Sequence, residues 1–213
     1  MTSKEKVINI ISALEEYYPS PECGLHWKGD PYRLLIMAIL SAQCTDARVN
    51  IVAETLFSRF PTVYDMANAS LEDIEAEIHS VGLYHSKAKA LKECSERVAS
   101  VYGGVVPSEM DALLTLRGVG RKVANLLRGD IYGLGGIVAD THCIRISGRL
   151  GFTDGKDPLK TEKALSKIVP IEKQSGFCHR LVIYGREICT ARSPKCDECI
   201  ISEYCKFYKQ GKR

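Results

Sequence analysis

Four cysteines crowd into one stretch near the C-terminal end of the chain. Cys189, Cys196, Cys199 and Cys205 follow a Cys-x6-Cys-x2-Cys-x5-Cys spacing. Four thiols this close hold a metal centre or form two disulfides. Cys196 and Cys199 place two sulfurs on one tight turn, which seats neighbouring ligands of a single centre. A zinc ribbon carries two such knuckles with a longer loop between them. Here there is one knuckle with a cysteine on either side. That spacing fits a loop wrapped around a [4Fe–4S] cluster better than a zinc site, and a zinc site better than disulfides.

A second constellation lies at Leu113-LTLRGVGRKVA-Asn125. Gly118 and Gly120 bracket Val119 in a tight turn between two short helices. Glycines there permit positive φ and the close approach of another backbone. Gly120 stands at the start of the second helix, whose first N–H groups lack partners and attract a phosphate. The pattern is that of a helix-hairpin-helix, which grips a nucleic-acid backbone without reading bases. A plain helical hairpin in the core gives the same local pattern. Lys122 occupies the first turn of the second helix, where the helix dipole disfavours an ammonium. A dry pocket would lower its proton affinity further and make it an amine nucleophile for a carbonyl-level carbon. The bland reading is a phosphate-binding surface lysine, the role that suits its neighbour Arg121.

The elements that must position these residues are helices. Val7, Ile8, Ile11, Leu14 and Tyr18 recur at helical spacing. Asp30-Pro31 starts a helix over 32–41 that is apolar nearly all round and so belongs in a core. Thr45 caps a helix ended by Pro61, Ser70 caps a short one, and Ser86 starts one reaching residue 101. Helices over 108–116 and 121–128 flank the Gly118–Gly120 turn. Asp140 caps a helix ending at Gly151, Asp157-Pro158 opens another, and 176–188 precedes the cysteine run. No alternating strand pattern appears, so the expected class is all-α.

Composition sets the bounds. The 213 residues are 45% hydrophobic and 26% charged, as in globular proteins. A net charge of +3 permits a nucleic-acid partner without requiring one. The five other cysteines are scattered and read as small buried thiols. No signal peptide is visible at the N-terminus, which leads us to expect a cytoplasmic protein. The longest apolar run, 34–40, is too short to span a bilayer, so no membrane partner is expected.

Several motifs together give the chain a close resemblance to the endonuclease III family, the bifunctional DNA glycosylases of the helix-hairpin-helix superfamily. They are LLIMAILSAQCTD around Gln43, VGLYHSKAKAL around Leu83, LRGVGRKVAN around Lys122, VADTHCIR around Asp140, and the four cysteines. The resemblance covers nearly the whole chain. It implies a six-helix barrel domain over 23–134 containing the helix-hairpin-helix. It also implies a [4Fe–4S] cluster domain from 1–22 and 135–213. Lys122 would be the nucleophile and Asp140 the essential carboxylate. Gln43 and Leu83 would fill the gap left when a damaged base is flipped out of duplex DNA. Ser41 and Asp46 would line the base pocket. The hairpin residues Arg117, Gly118, Val119, Gly120 and Arg121, with Arg192 and Lys195 from the cysteine loop, would touch phosphates. The substrate would be damaged double-stranded DNA bearing oxidised pyrimidines or abasic sites, met by a monomer at the nucleoid. The alternatives are a monofunctional adenine or mismatched-thymine glycosylase, which would lack the nucleophilic lysine, and a non-catalytic iron–sulfur DNA-binding protein. The chain departs from the family pattern at three places: Arg117 stands where proline is usual, Cys44 where alanine is common, and Gly129-Asp130 puts a weak helix former and an acid near the end of the lysine helix.

Overall fold

A computed structural model describes residues 2–211. Among these residues the chain forms α-helices joined by turns and short 3-10 segments, with no strand. None of the helices is long and apolar enough to cross a membrane. In order they are α1 (Ser3–Tyr17), α2 (Pro31–Leu40), α3 (Asp46–Arg59), α4 (Val63–Asn68), α5 (Leu71–Ile78) and α6 (Tyr84–Tyr102). There follow α7 (Met110–Leu114), α8 (Arg121–Asp130), α9 (Thr141–Leu150), α10 (Pro158–Ser166), α11 (Gln174–Glu187) and α12 (Lys206–Lys209). The chain divides into two compact units. One is Cys23–Tyr132; the other joins Met1–Glu22 to Gly133–Arg213.

The first unit is built around α2. Asp30 accepts hydrogen bonds from the Tyr32 and Arg33 backbone N–H groups, and Pro31 presets the first helical φ. Every residue of α2 from Leu34 to Leu40 is buried, against side chains of α3, α6 and α8. Each fully buried Leu or Ile contributes about 1.5–3 kcal/mol, so this helix anchors the unit. The structure also contains the short α4, which the sequence pattern does not announce. Its two buried residues, Val63 and Met66, make too brief a pattern to show a period. α6 begins at Tyr84, two residues before the expected Ser86, with Leu83 as a left-handed N-cap that offers no side-chain bond. In the second unit the apolar stripe Val7, Ile10, Ile11 and Leu14 of α1 shares a core with Phe177, Leu181 and Tyr184 of α11 and Ile146 of α9.

Candidate DNA-repair site and cluster loop

The first unit carries two groups of candidate residues. The hairpin is one. Gly118 has φ +83, and a Cβ there would lie 2.9 Å from Ile39 Cγ2 and 3.3 Å from the Ala90 Cβ. The turn therefore packs directly on α2 and α6, and both sterics and φ demand glycine. Gly120 differs from the expectation: its φ is −98, and a Cβ there would find nothing within 4 Å. Its glycine leaves the N-terminus of α8 bare and reachable, with no side-chain cap. Val119 is buried, and its N–H donates to the Leu116 carbonyl at 3.1 Å, which closes the turn. Lys122 is the second residue of α8 and is exposed, as is Arg121. The dry pocket that would lower the proton affinity of Lys122 is absent, and its exposure matches the surface-lysine alternative. Arg117 is also exposed, with Nη1 3.4 Å from Glu93 Oε2 on α6.

The second group is a pair of strained turns. Gln43 (φ 53) and Leu83 (φ 61) are two of the three non-glycine residues with positive φ among the described residues. Such backbone costs about 1–3 kcal/mol and collects at functional sites. The two turns meet: a Cβ on Gly82 would lie 4.0 Å from the Gln43 carbonyl oxygen. Leu83 is 60% exposed, although a leucine flanked by apolar residues reads from sequence as core. One helical turn further on, Lys87 is buried and its Nζ has no hydrogen-bond partner. Burial lowers its proton affinity, and the Cys44 thiol pulls the other way. Sequence reasoning passes over Lys87 because a lysine mid-helix looks like a surface residue. Ser41 donates its hydroxyl to the Ala38 carbonyl at 2.8 Å, closing the end of α2. Asp46, the first residue of α3, packs so closely under Gly24 that a Cβ there would meet its Oδ2 at 2.6 Å.

In the second unit Asp140 caps α9 as its type predicts. Its Oδ1 accepts from the Cys143 N–H at 2.7 Å, and the carboxylate is half-buried. His142 follows, with Nδ1 3.1 Å from Arg145 Nη2. Burial holds the imidazole below its ordinary range and favours the neutral ring, an effect that Asp140 only partly counters.

The four cysteines line one small cavity with Arg149, Ile188, Phe207 and Tyr208. Burial pushes the Cys196 and Cys199 thiols up, and the neighbouring Cys189 and Cys205 add to it. Four thiols converging on one cavity, from a run with a single Cys-x2-Cys knuckle, fit the four-cysteine holding of an iron–sulfur cluster. Two arginines of α9 hold the loop that begins at Cys189. Arg145 donates to the Cys189 carbonyl from Nε at 3.2 Å and Nη2 at 2.9 Å. Arg149 donates to the Thr190 carbonyl at 2.7 Å and the Ala191 carbonyl at 2.8 Å. Arg192 and Lys195 are exposed on this loop. The arginine pair at i, i+4 was a visible signal in CIRISGR, but its target was not.

An all-α fold with a glycine-hairpin helix start and a four-cysteine cluster loop defines a helix-hairpin-helix DNA-repair protein. Residues 36–171 match the model of the HhH-GPD superfamily of base excision DNA repair proteins, and residues 189–205 match the iron–sulfur binding domain of endonuclease III. The chain is 38% identical to endonuclease III of Synechocystis sp. over 96% of its own length and 93% of that protein's. It is similar, at TM-score 0.90 and 38% identity, to a solved non-covalent endonuclease III–DNA complex, covering 99% of each chain. A trapped endonuclease III–DNA covalent intermediate matches at the same TM-score and identity over 100% of each chain. The chain belongs to the endonuclease III family of the HhH-GPD superfamily. Its cofactor is a [4Fe–4S] cluster.

Proposed function

We propose that this chain excises oxidised pyrimidines from duplex DNA and nicks the abasic site it creates, with Lys122 as nucleophile and Asp140 as its carboxylate partner. It is a base-excision repair enzyme with glycosylase and lyase activities. The observation that carries the residue assignment is Lys122 standing exposed in the first turn of α8, beside the uncapped N-terminus that starts at Gly120. The N–H groups of that terminus suit a phosphate, which would set the sugar against the amine.

The Lys122 amine, once deprotonated, attacks C1′ of a flipped nucleotide. The N–C1′ bond forms as the glycosidic bond breaks, and the electron pair leaves with the base. Asp140 takes the amine proton and stabilises positive charge developing at C1′. Ring opening gives an imine; loss of a 2′ proton then expels the 3′ phosphate, and water releases the lysine. Because Lys122 is exposed in the free chain, the water exclusion this chemistry needs comes from the bound DNA. Gln43 and Leu83 occupy the gap in the duplex, the leucine as an apolar wedge and the glutamine as an amide for the orphaned base. Ser41 and Asp46 flank the base pocket. The cluster, held by Cys189, Cys196, Cys199 and Cys205, supplies the order of the loop that presents Arg192 and Lys195 to phosphates.

Borohydride trapping on an abasic duplex tests the assignment. The unaltered chain should form a covalent adduct. Lys122→Ala should bind the duplex yet form none, and a wild-type adduct yield in that variant would refute the nucleophile. Base release without an adduct from the unaltered chain would instead mark a monofunctional enzyme. Asp140→Asn keeps a cap of nearly equal quality, so stability should change by only about a few tenths of a kcal/mol. Single-turnover base release should nevertheless fall by about 100-fold or more, the scale of a lost proton-transfer group. Unchanged base release would leave Asp140 as a cap alone.

A further inference from the structure

Two side chains reach the sulfurs of the cysteine run. Tyr184 of α11, 1% exposed, donates its phenol O–H to Cys199 Sγ at 3.0 Å. Its ring is wedged edge-on against Tyr18, with centroids 6.3 Å apart, so the hydroxyl has little freedom to turn away. Arg149 of α9 donates from Nη1 to Cys189 Sγ at 3.2 Å. Its guanidinium lies 4.8 Å from the Phe207 ring centroid and is fixed by the Thr190 and Ala191 carbonyls. The loop carbonyls explain why an arginine is present. They do not explain why either donor points at sulfur, and a phenol buried in an apolar core needs a partner that the ligand sulfur provides.

A cluster with four thiolates carries a net negative charge that becomes one unit more negative when it accepts an electron. A donor at a ligand sulfur draws charge from the iron and favours the more reduced form. We propose that Tyr184 and Arg149 set the reduction potential of the bound cluster, each raising it through a hydrogen bond to a ligand sulfur. The step concerned is the transfer of one electron to or from an electrode, with no bond made or broken in the protein. Arg149 brings a full positive charge and contributes more; Tyr184 brings a neutral donor and contributes less. The two donors sit on different ligands, so the reducing electron is also drawn unevenly across the cluster.

Voltammetry of the cluster-loaded protein tests this. Tyr184→Phe keeps the ring and its packing while removing the donor. Its reduced form should be disfavoured roughly tenfold, a shift of about 59 mV to more negative potential for a one-electron couple. Arg149→Gln should shift further in the same direction, with iron and sulfide content recorded for both. An unchanged midpoint in fully loaded Tyr184→Phe and Arg149→Gln would overturn the proposal. A purely structural role would lower iron content and leave the midpoint of the loaded fraction in place, which also overturns it. Should both variants fail to hold iron, electron–nuclear double resonance on the unaltered protein decides, with its cluster made paramagnetic by one-electron reduction with dithionite. Exchange into D2O should reveal deuterons coupled to the cluster at hydrogen-bond range, and their absence would end the idea.

Discussion

The hairpin turn 117–120 and the cysteine loop 189–205 both offer backbone and cations to solvent, yet different forces hold them. The turn is held by packing. Gly118 sits against Ile39 and Ala90, and buried Val119 ties it to the core of its unit. The loop has almost no core: across 189–205 only Ile201 is buried. Its regular structure is two 3-10 turns, Cys196–Glu198 and Ser202–Tyr204, and it depends on its four sulfurs and on arginine bonds to its carbonyls. A segment held by packing tolerates the loss of a ligand elsewhere but not an added methyl. One held by ligation tolerates many surface changes but not a lost sulfur.

The most severe break in that contrast is Cys196→Ser. With the cluster lost, amides across 189–205 should lose at least about tenfold in hydrogen-exchange protection, because ligation and local folding are one event. Amides of the hairpin should keep theirs. Equal loss in both regions would show that the turn, too, depends on the metal. Next in size is a pair of alanines. Gly118→Ala meets both a positive φ and Ile39, and should cost about 2–4 kcal/mol in denaturant unfolding. Gly120→Ala has an ordinary φ and open space, so its stability cost should stay within about 1 kcal/mol. If a phosphate docks at the helix start, as we propose, the variant's affinity for an abasic duplex should still fall, since the methyl would stand in the way. Similar stability costs at the two glycines would mean that the turn is not held as described. The smallest effect concerns Arg117, which lies on Glu93 in the free chain. If it moves to a phosphate on binding, Arg117→Pro should flatten the log–log salt dependence of binding by about 0.9. An unchanged slope would leave it paired with Glu93, an exposed contact worth about 1 kcal/mol at most.

Much of this was legible in the residues because the signals were local. Asp30-Pro31 announced α2, Asp140 announced the cap of α9, and the cysteine spacing ranked an iron–sulfur cluster above zinc and disulfides before any coordinates. What stayed hidden depended on contacts between distant segments. Nothing in the string says that Gln43 and Leu83 both take left-handed backbone, or that their two turns lie side by side. The helix start at Tyr84 was misplaced for the same reason: its cap is a conformation and not a side chain. Gly118 and Gly120 look alike in sequence, yet one is required by sterics and the other by access. Arg145, Arg149 and Tyr184 declared no target because their partners lie some 15 to 44 residues away.

Helix α9 runs only from Thr141 to Leu150, with Asp140 at its head and Arg149 near its tail. At 1.5 Å per residue the two are about 13 Å apart along the axis, a span too short for a helix to bend appreciably. The tail is moored to the cysteine loop by Arg149, so whatever orders that loop also steadies the backbone that carries Asp140 at the other end of the same short rod.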